Sequence, residues 1–292
     1  MTVRVLHTAT SQCVLGESPV WCEDQQELLF VDILGKALFS WNDNYGLTKL
    51  NLSQRVGSIV LSHTGDLVAA SERDLCRVDR HCGSIYGIND TQIIPDTALM
   101  NDGKCDRRGR FVFGSKALNE QDLVGELMTA CAGAILSHTN GAVINGPAFS
   151  PDGGRIYFAD SPSRIIYTAL YNLETGTLGK IEEFVMLSSG SGYPDGMTVD
   201  SEGCLWNAHW DGWQISRYWP NGTLDREIEM PISKPTSLAF GGDDLKTLFI
   251  TSAKKGRQEA DNSTEKLAGD LFRIETDVRG IEETLFLGAG NA

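Results

Sequence analysis

Four polar residues recur at one place in a repeated pattern: Glu17, Asn101, Asn145 and Asp195. Each precedes a short strand, a Gly-containing turn and a returning strand. The returning strands begin at Leu28, Phe111, Ile156 and Leu205, so the four residues lie 11, 10, 11 and 10 positions upstream. Two carboxylates and two amides brought together form a hard oxygen-donor set. Such a set suits Ca²⁺, Mg²⁺ or Mn²⁺, and Zn²⁺ and Fe²⁺ also accept carboxylates. A site with about three protein ligands keeps positions for water and substrate, and can activate the one and polarise the other. Asp and Asn are also common at strand starts, where they bond local backbone. Glu has no such habit, and four residues in register weigh toward a shared site.

The elements that must hold them follow from the repeat. Two further returning strands fit the template, Leu67-Val68-Ala69-Ala70-Ser71 and Leu248-Phe249-Ile250-Thr251-Ser252. The six starts at 28, 67, 111, 156, 205 and 248 are separated by 39 to 49 residues. Asp- and Gly-rich turns precede them, as in Pro151-Asp152-Gly153-Gly154 and Asp200-Ser201-Glu202-Gly203. A period near 45 with four short strands per unit is a propeller blade. The expected fold is therefore all-β: a six-bladed β-propeller with four-stranded antiparallel blades around a central channel. No window shows sustained helical spacing. No linker divides residues 1–292, read as one domain, although Gly256 to Glu265 is a polar loop. Pairing of the first strand (Arg4 to Thr8) with the last (Glu283 to Leu287) is expected to close the ring and hide its edges.

In a hairpin, the start of one strand and the end of the next share one end. Glu17, Asn101, Asn145 and Asp195 therefore share a face with Asp32, Ser115, Lys116, Asp160, Ser161, His209 and Trp210. Since the first strand of a blade is nearest the axis, the four should line the channel mouth. The equivalent places in the other two repeats, near Gly57 and Ser237, leave space. Asp106, Asp152 and Asp200 fall at the far end and read as turn formers. His209 reads as a pocket wall.

Net charge −14 argues against nucleic acid and anionic membrane as partners. No signal peptide and no span of 18 apolar residues is evident. The seven scattered cysteines fit no usual zinc spacing and read as reduced thiols of a cytoplasmic protein. A monomer or weak homodimer is expected. Neither a Gly-x-Ser-x-Gly elbow nor a phosphate-binding loop occurs.

The stretches around these residues resemble the gluconolactonase, regucalcin and senescence-marker family of six-bladed propellers. They are Leu15-Gly16-Glu17-Ser18-Pro19-Val20-Trp21, Asn101-Asp102-Gly103-Lys104-Cys105-Asp106, Asn145-Gly146-Pro147-Ala148-Phe149-Ser150-Pro151-Asp152-Gly153 and Tyr193-Pro194-Asp195-Gly196-Met197. The resemblance runs from about residue 13 to residue 275. It implies hydrolysis of sugar lactones to aldonic acids with one divalent metal ion, Ca²⁺ first, with Zn²⁺, Mn²⁺, Mg²⁺ or Fe²⁺ as alternatives. The implied metal ligands are Glu17, Asn145 and Asp195, with Asp195 also the general base. The implied substrate contact is Asn101; Asp102, which follows it, is counted with the substrate-binding residues and also read as a brace of the loop, and Lys116, Glu120 and His209 are added by position. One departure matters: the Arg that often stands two residues before Asn-Asp-Gly is here Leu99. Either the substrate differs or another cation, Lys116 or Arg55, takes over. The reading from another class is a non-catalytic calcium- or ligand-binding propeller of the regucalcin type.

Overall fold

The computed structural model describes residues 4–88, 92–131, 134–256 and 265–288. Its strands run from β1 (Leu6–Ala9), discussed below, through six sheets of four. Blade 1 holds β2 (Gly16–Cys22), β3 (Glu27–Asp32), β4 (Ala37–Asn42) and β5 (Gly46–Asn51). Blade 2 holds β6 (Val56–Leu61), β7 (Leu67–Ser71), β8 (Asp74–Val78) and β9 (Ile85–Gly87). Blade 3 holds β10 (Ala98–Cys105), β11 (Phe111–Ala117), β12 (Gly125–Cys131) and β13 (Ala134–Gly141). Blade 4 holds β14 (Ile144–Phe149), β15 (Arg155–Asp160), β16 (Ile165–Asn172) and β17 (Thr177–Met186). Blade 5 holds β18 (Tyr193–Val199), β19 (Leu205–Trp210), β20 (Gln214–Tyr218) and β21 (Leu224–Glu229). Blade 6 holds β22 (Pro235–Gly241), β23 (Thr247–Ser252), β24 (Leu271–Glu275) and β1. All six returning strands read from the sequence are present, each within a residue of its expected start. Every pair within a blade is antiparallel. The fold is the six-bladed propeller.

The core lies between blades. Val20, Leu29 and Val31 of blade 1 pack with Ile59, Leu67 and Ala69 of blade 2, and the same arrangement recurs around the ring. Strands buried on both faces read as continuous apolar runs, which explains Leu-Leu-Phe-Val in β3 and Leu-Val-Ala-Ala in β7. Outer strands such as β5 alternate toward water. Buried free thiols belong to this core; burial pushes Cys13 and Cys76 up to about 12, so they stay protonated. Among the described residues no helix is long and apolar enough to cross a membrane.

The ring closes differently from the expectation. The partner of β1 is β24, not the segment Glu283 to Leu287. The later segment runs across the far end of the channel as a strap. Gly280 N–H donates to Leu245 O, Ser201 N–H to Arg279 O, and Phe286 N–H to Leu61 O. Val278, Ile281, Leu285 and Phe286 enter four different interblade clusters in turn. Their spacing lacks the period of two that a strand needs, so they plug gaps instead of facing one sheet. The polar loop 257–264 lies outside the described residues.

Candidate active site

The site is built from one backbone device used six times. Every innermost strand carries a bulge at the same level. The pairs Glu17–Val31 and Val20–Leu29 bracket one extra residue on β2. The same irregularity lies between Val56 and Ser58, Met100 and Gly103, Asn145 and Ala148, Pro194 and Met197, and Pro235 and Leu238. A bulge bends its strand and re-aims a side chain. In four blades that side chain is Glu17, Asn101, Asn145 or Asp195. In blade 1 the bulge holds Ser18 at φ 51°, and the Ser18 hydroxyl accepts from Ile59 N–H at 2.9 Å, which supports the conformation. In blade 4 Gly146 at φ 57° does the same without a side chain.

The two remaining bulges supply no polar side chain to the cleft; Gly57 lines a chamber beside it, as the space expected there requires, and both bulges also bring blades together. A Cβ on Gly57 would lie 2.7 Å from Asn101 O and 2.8 Å from Met100 O. In blade 6 the hydroxyl of Thr236 donates to Gly16 O at 2.5 Å, while Ser237 packs on Gly196.

Each of the four polar residues is only 5 to 7% exposed, yet all line one water-accessible cleft of about 350 Å³. They form a hydrogen-bonded row. Asn101 Nδ2 donates to Asn145 Oδ1 at 2.6 Å and to Ile144 O at 2.9 Å. Asn145 Nδ2 donates to Asp195 Oδ1 at 2.8 Å and to Ser161 Oγ at 2.9 Å. Asn207 Nδ2 holds the Asp195 backbone carbonyl at 3.0 Å. Asp195 Oδ2 has no hydrogen bond among the described residues, so one oxygen is anchored and the other is available. Burial, then Asp195 and Asp102, hold the Glu17 carboxyl well above the usual range. Burial and Asp102 do the same to Asp195, against the partial pull of Lys116 and Lys255.

These residues fit a divalent cation. Among the described residues Glu17 Oε2 is buried without a hydrogen-bond partner, and two carboxylates that repel each other face one cleft. The Asn145 amide oxygen, engaged once, keeps a second lone pair. Among the described residues no three His, Cys, Asp or Glu converge as a cage. The donor set is thus two carboxylates and an amide, the hard chemistry expected.

Lys116 and Glu120 also line the cleft, joined at 3.0 Å. Burial pushes Glu120 up, but Lys116 and Lys255 outweigh it and leave the carboxyl below its usual range. Two expected contacts are not made. Asp102 turns below the cleft, where its oxygens accept Gly103 N–H at 2.8 Å and Gly146 N–H at 3.1 Å. It braces blade 3 on blade 4; burial pushes it up to about 6. His209 is fully buried behind the wall, its Nδ1 donating to Ser191 O at 2.8 Å. Successive strand residues face opposite ways, so Trp210 takes the place at the cleft. Tyr193 and Lys255, unassigned from the sequence, complete the wall. A signal for Lys255 existed: it lies three residues past the end of the returning strand β23, at the end of the blade where Lys116 stands in β11.

Residues 15–254 match the model of the SMP-30/Gluconolactonase/LRE-like region. The chain is 33% identical over 282 residues to a 6-deoxy-6-sulfogluconolactonase of Pseudomonas putida, covering 94% of this chain and 96% of that one. It is 31% identical over 299 residues to regucalcin of Gallus gallus, covering 98% and 99%. Its fold superimposes on a calcium-binding regucalcin of Agrobacterium tumefaciens with a TM-score of 0.92 at 23% identity, over 98% of each chain. With the family match spanning the blades that carry Glu17, Asn101, Asn145 and Asp195, the chain belongs to the SMP-30/gluconolactonase/LRE-like family.

Proposed function

We propose that this protein hydrolyses sugar lactones to aldonic acids, using one divalent cation, Ca²⁺ first, held by Glu17, Asn145 and Asp195. The observation that carries this reading is the unpartnered Glu17 Oε2 beside the anchored Asp195 carboxylate in a cleft of small-molecule size. The similarity to a sulfogluconolactonase over nearly the full chain supports the substrate class. When bound, the cation supplies positive charge that polarises the lactone carbonyl and favours deprotonation of water.

The protein's own groups do the rest. Asn145 orients Asp195 through Oδ1, leaving Oδ2 to take a proton from the attacking water. The carbon–oxygen bond to water forms at the carbonyl carbon. Collapse of the tetrahedral adduct then breaks the ring ester bond, and the proton held by Asp195 passes to the departing ring oxygen. Asn101, fixed against blade 4, and Lys116 contact the ring hydroxyls. Trp210 and Tyr193 form the wall against which the ring lies.

The test is proton release on a panel of lactones by the protein as purified, after chelation and after cation return. Asp195→Ala is expected to lower kcat at least about a hundredfold while the fold persists, the scale of a lost general base. Glu17→Ala should lose cation and turnover together. A protein that binds the cation but opens no lactone would be a calcium-binding propeller instead, as the regucalcin likeness allows.

A further inference from the structure

The mouth of the channel is divided in two. Lys116 Nζ and Lys255 Nζ reach the same oxygen, Glu120 Oε1, at 3.0 and 3.2 Å. Lys116 and Glu120 come from blade 3 and Lys255 from blade 6, on opposite sides of the ring, so the three residues form a bridge across it. On one side is the cleft with Asn145 and Asp195. On the other is a chamber of about 180 Å³, lined by Arg55, Glu72, Leu34 and Leu99. Asn101, Lys116, Glu120 and Lys255 face both.

The charges of this second chamber do not balance. Three cations, Arg55, Lys116 and Lys255, face two carboxylates, Glu72 and Glu120, although the whole chain carries −14. Both lysines share one carboxylate oxygen. Glu72 Oε1 accepts the backbone N–H of Arg55 at 3.2 Å, and among the described residues the Arg55 guanidinium has neither hydrogen bond nor ion pair. A free guanidinium fork matches an oxyanion with two parallel bonds. Leu34 and Leu99 give the same chamber an apolar wall with nothing to offer a sugar hydroxyl.

We infer that this chamber recognises an oxyanion at the end of the substrate remote from the lactone carbonyl. The preferred substrates are then acidic sugar lactones bearing a terminal carboxylate, phosphate or sulfonate. Arg55 grips that group, and Lys116 and Lys255 exchange part of their contact with Glu120 for it. The inference rests on the lactonase reading for the identity of the ring, but the anion site can be tested apart from turnover.

Two measurements decide it, on the cation-loaded protein and its Arg55→Ala and Arg55→Lys variants. The first compares kcat/KM for gluconolactone, its 6-phosphate and a glucaric acid lactone. The wild type should prefer the charged lactones, and Arg55→Ala should reduce that charged-over-neutral ratio about ten- to a hundredfold, chiefly through KM. Arg55→Lys, which keeps charge without the fork, should restore part of it. Preference for only one charged lactone identifies the anion; no preference, or an equal loss on all three, overturns the inference. The second is calorimetric binding of gluconate and glucarate. Tighter glucarate binding that disappears in Arg55→Ala upholds the anion site even if no lactone is opened, in which case the lactonase reading alone fails. Equal binding of the two acids, or none, overturns the anion site.

Discussion

Glu17 and Asp195 are buried acids with no ion-paired Lys or Arg among the described residues, and this sets how the site responds to pH. Both carboxyls are pushed up, so the folded chain holds protons that the unfolded chain has already released. Their contribution to stability is therefore lost as pH rises from the usual carboxyl range through the raised values. In the proposed reading a divalent cation would replace those protons and work in the opposite sense. The rise in Tm on adding Ca²⁺ to chelated protein should be larger at about pH 8 than at about pH 5.5, and should shrink in Glu17→Gln. A rise that ignores pH and persists in that variant would locate the cation elsewhere. At this scale the sequence was informative about type and register: the four residues were visible as a set. It singled out Asn101 by register, but it did not separate His209 from Trp210, because the two are adjacent and only the strand's facing decides which side chain meets the cleft.

The bulge is the element on which the site depends, and Gly57 shows its tolerance. Its missing side chain lets blade 2 approach the Met100 and Asn101 carbonyls, backbone atoms that cannot swing aside. Gly57→Ala should cost about 1–3 kcal/mol in urea unfolding, the range for overpacking, and should lower turnover by displacing Asn101. Gly190→Ala is the control, since no atom of the described residues lies within 4 Å of the added carbon. It should shift stability by less than about 0.5 kcal/mol. Equal effects at the two positions would mean that blade approach at Gly57 is not tight. The hairpins were legible because alternating Gly and Asp turns repeat every 39 to 49 residues. The bulges were not, since an extra residue in one strand shows only against the register of its partner.

Across the whole molecule, the polar cleft and the closing strap occupy opposite ends of the channel. Glu17, Asn101, Asn145 and Asp195 open at one end, while the strap ending in Phe286 crosses the other near Leu61. Lys104 and Glu283, 2.7 Å apart, tie that strap to blade 3. Phe286 is buried between blades 2 and 3, so Phe286→Ala should destabilise by about 3 kcal/mol while leaving kcat of the folded fraction unchanged. A fall in kcat measured well below the variant's Tm would show that the two ends are coupled.

By itself the sequence determined the number of blades, the level of the site and the donor types, because these depend on local periodicity and on residue identity at fixed positions in a repeat. Tertiary structure decided which strand closes the ring: β24 pairs in register with β1, while the strap is held by scattered backbone bonds to several blades. Arg55, already named from the sequence as a replacement cation at Leu99, lines the chamber beside it, but tertiary structure alone brought Lys255 of blade 6 to Glu120 of blade 3. That contact joins residues far apart in the chain across a closed ring, and no local spacing encodes the diameter it spans.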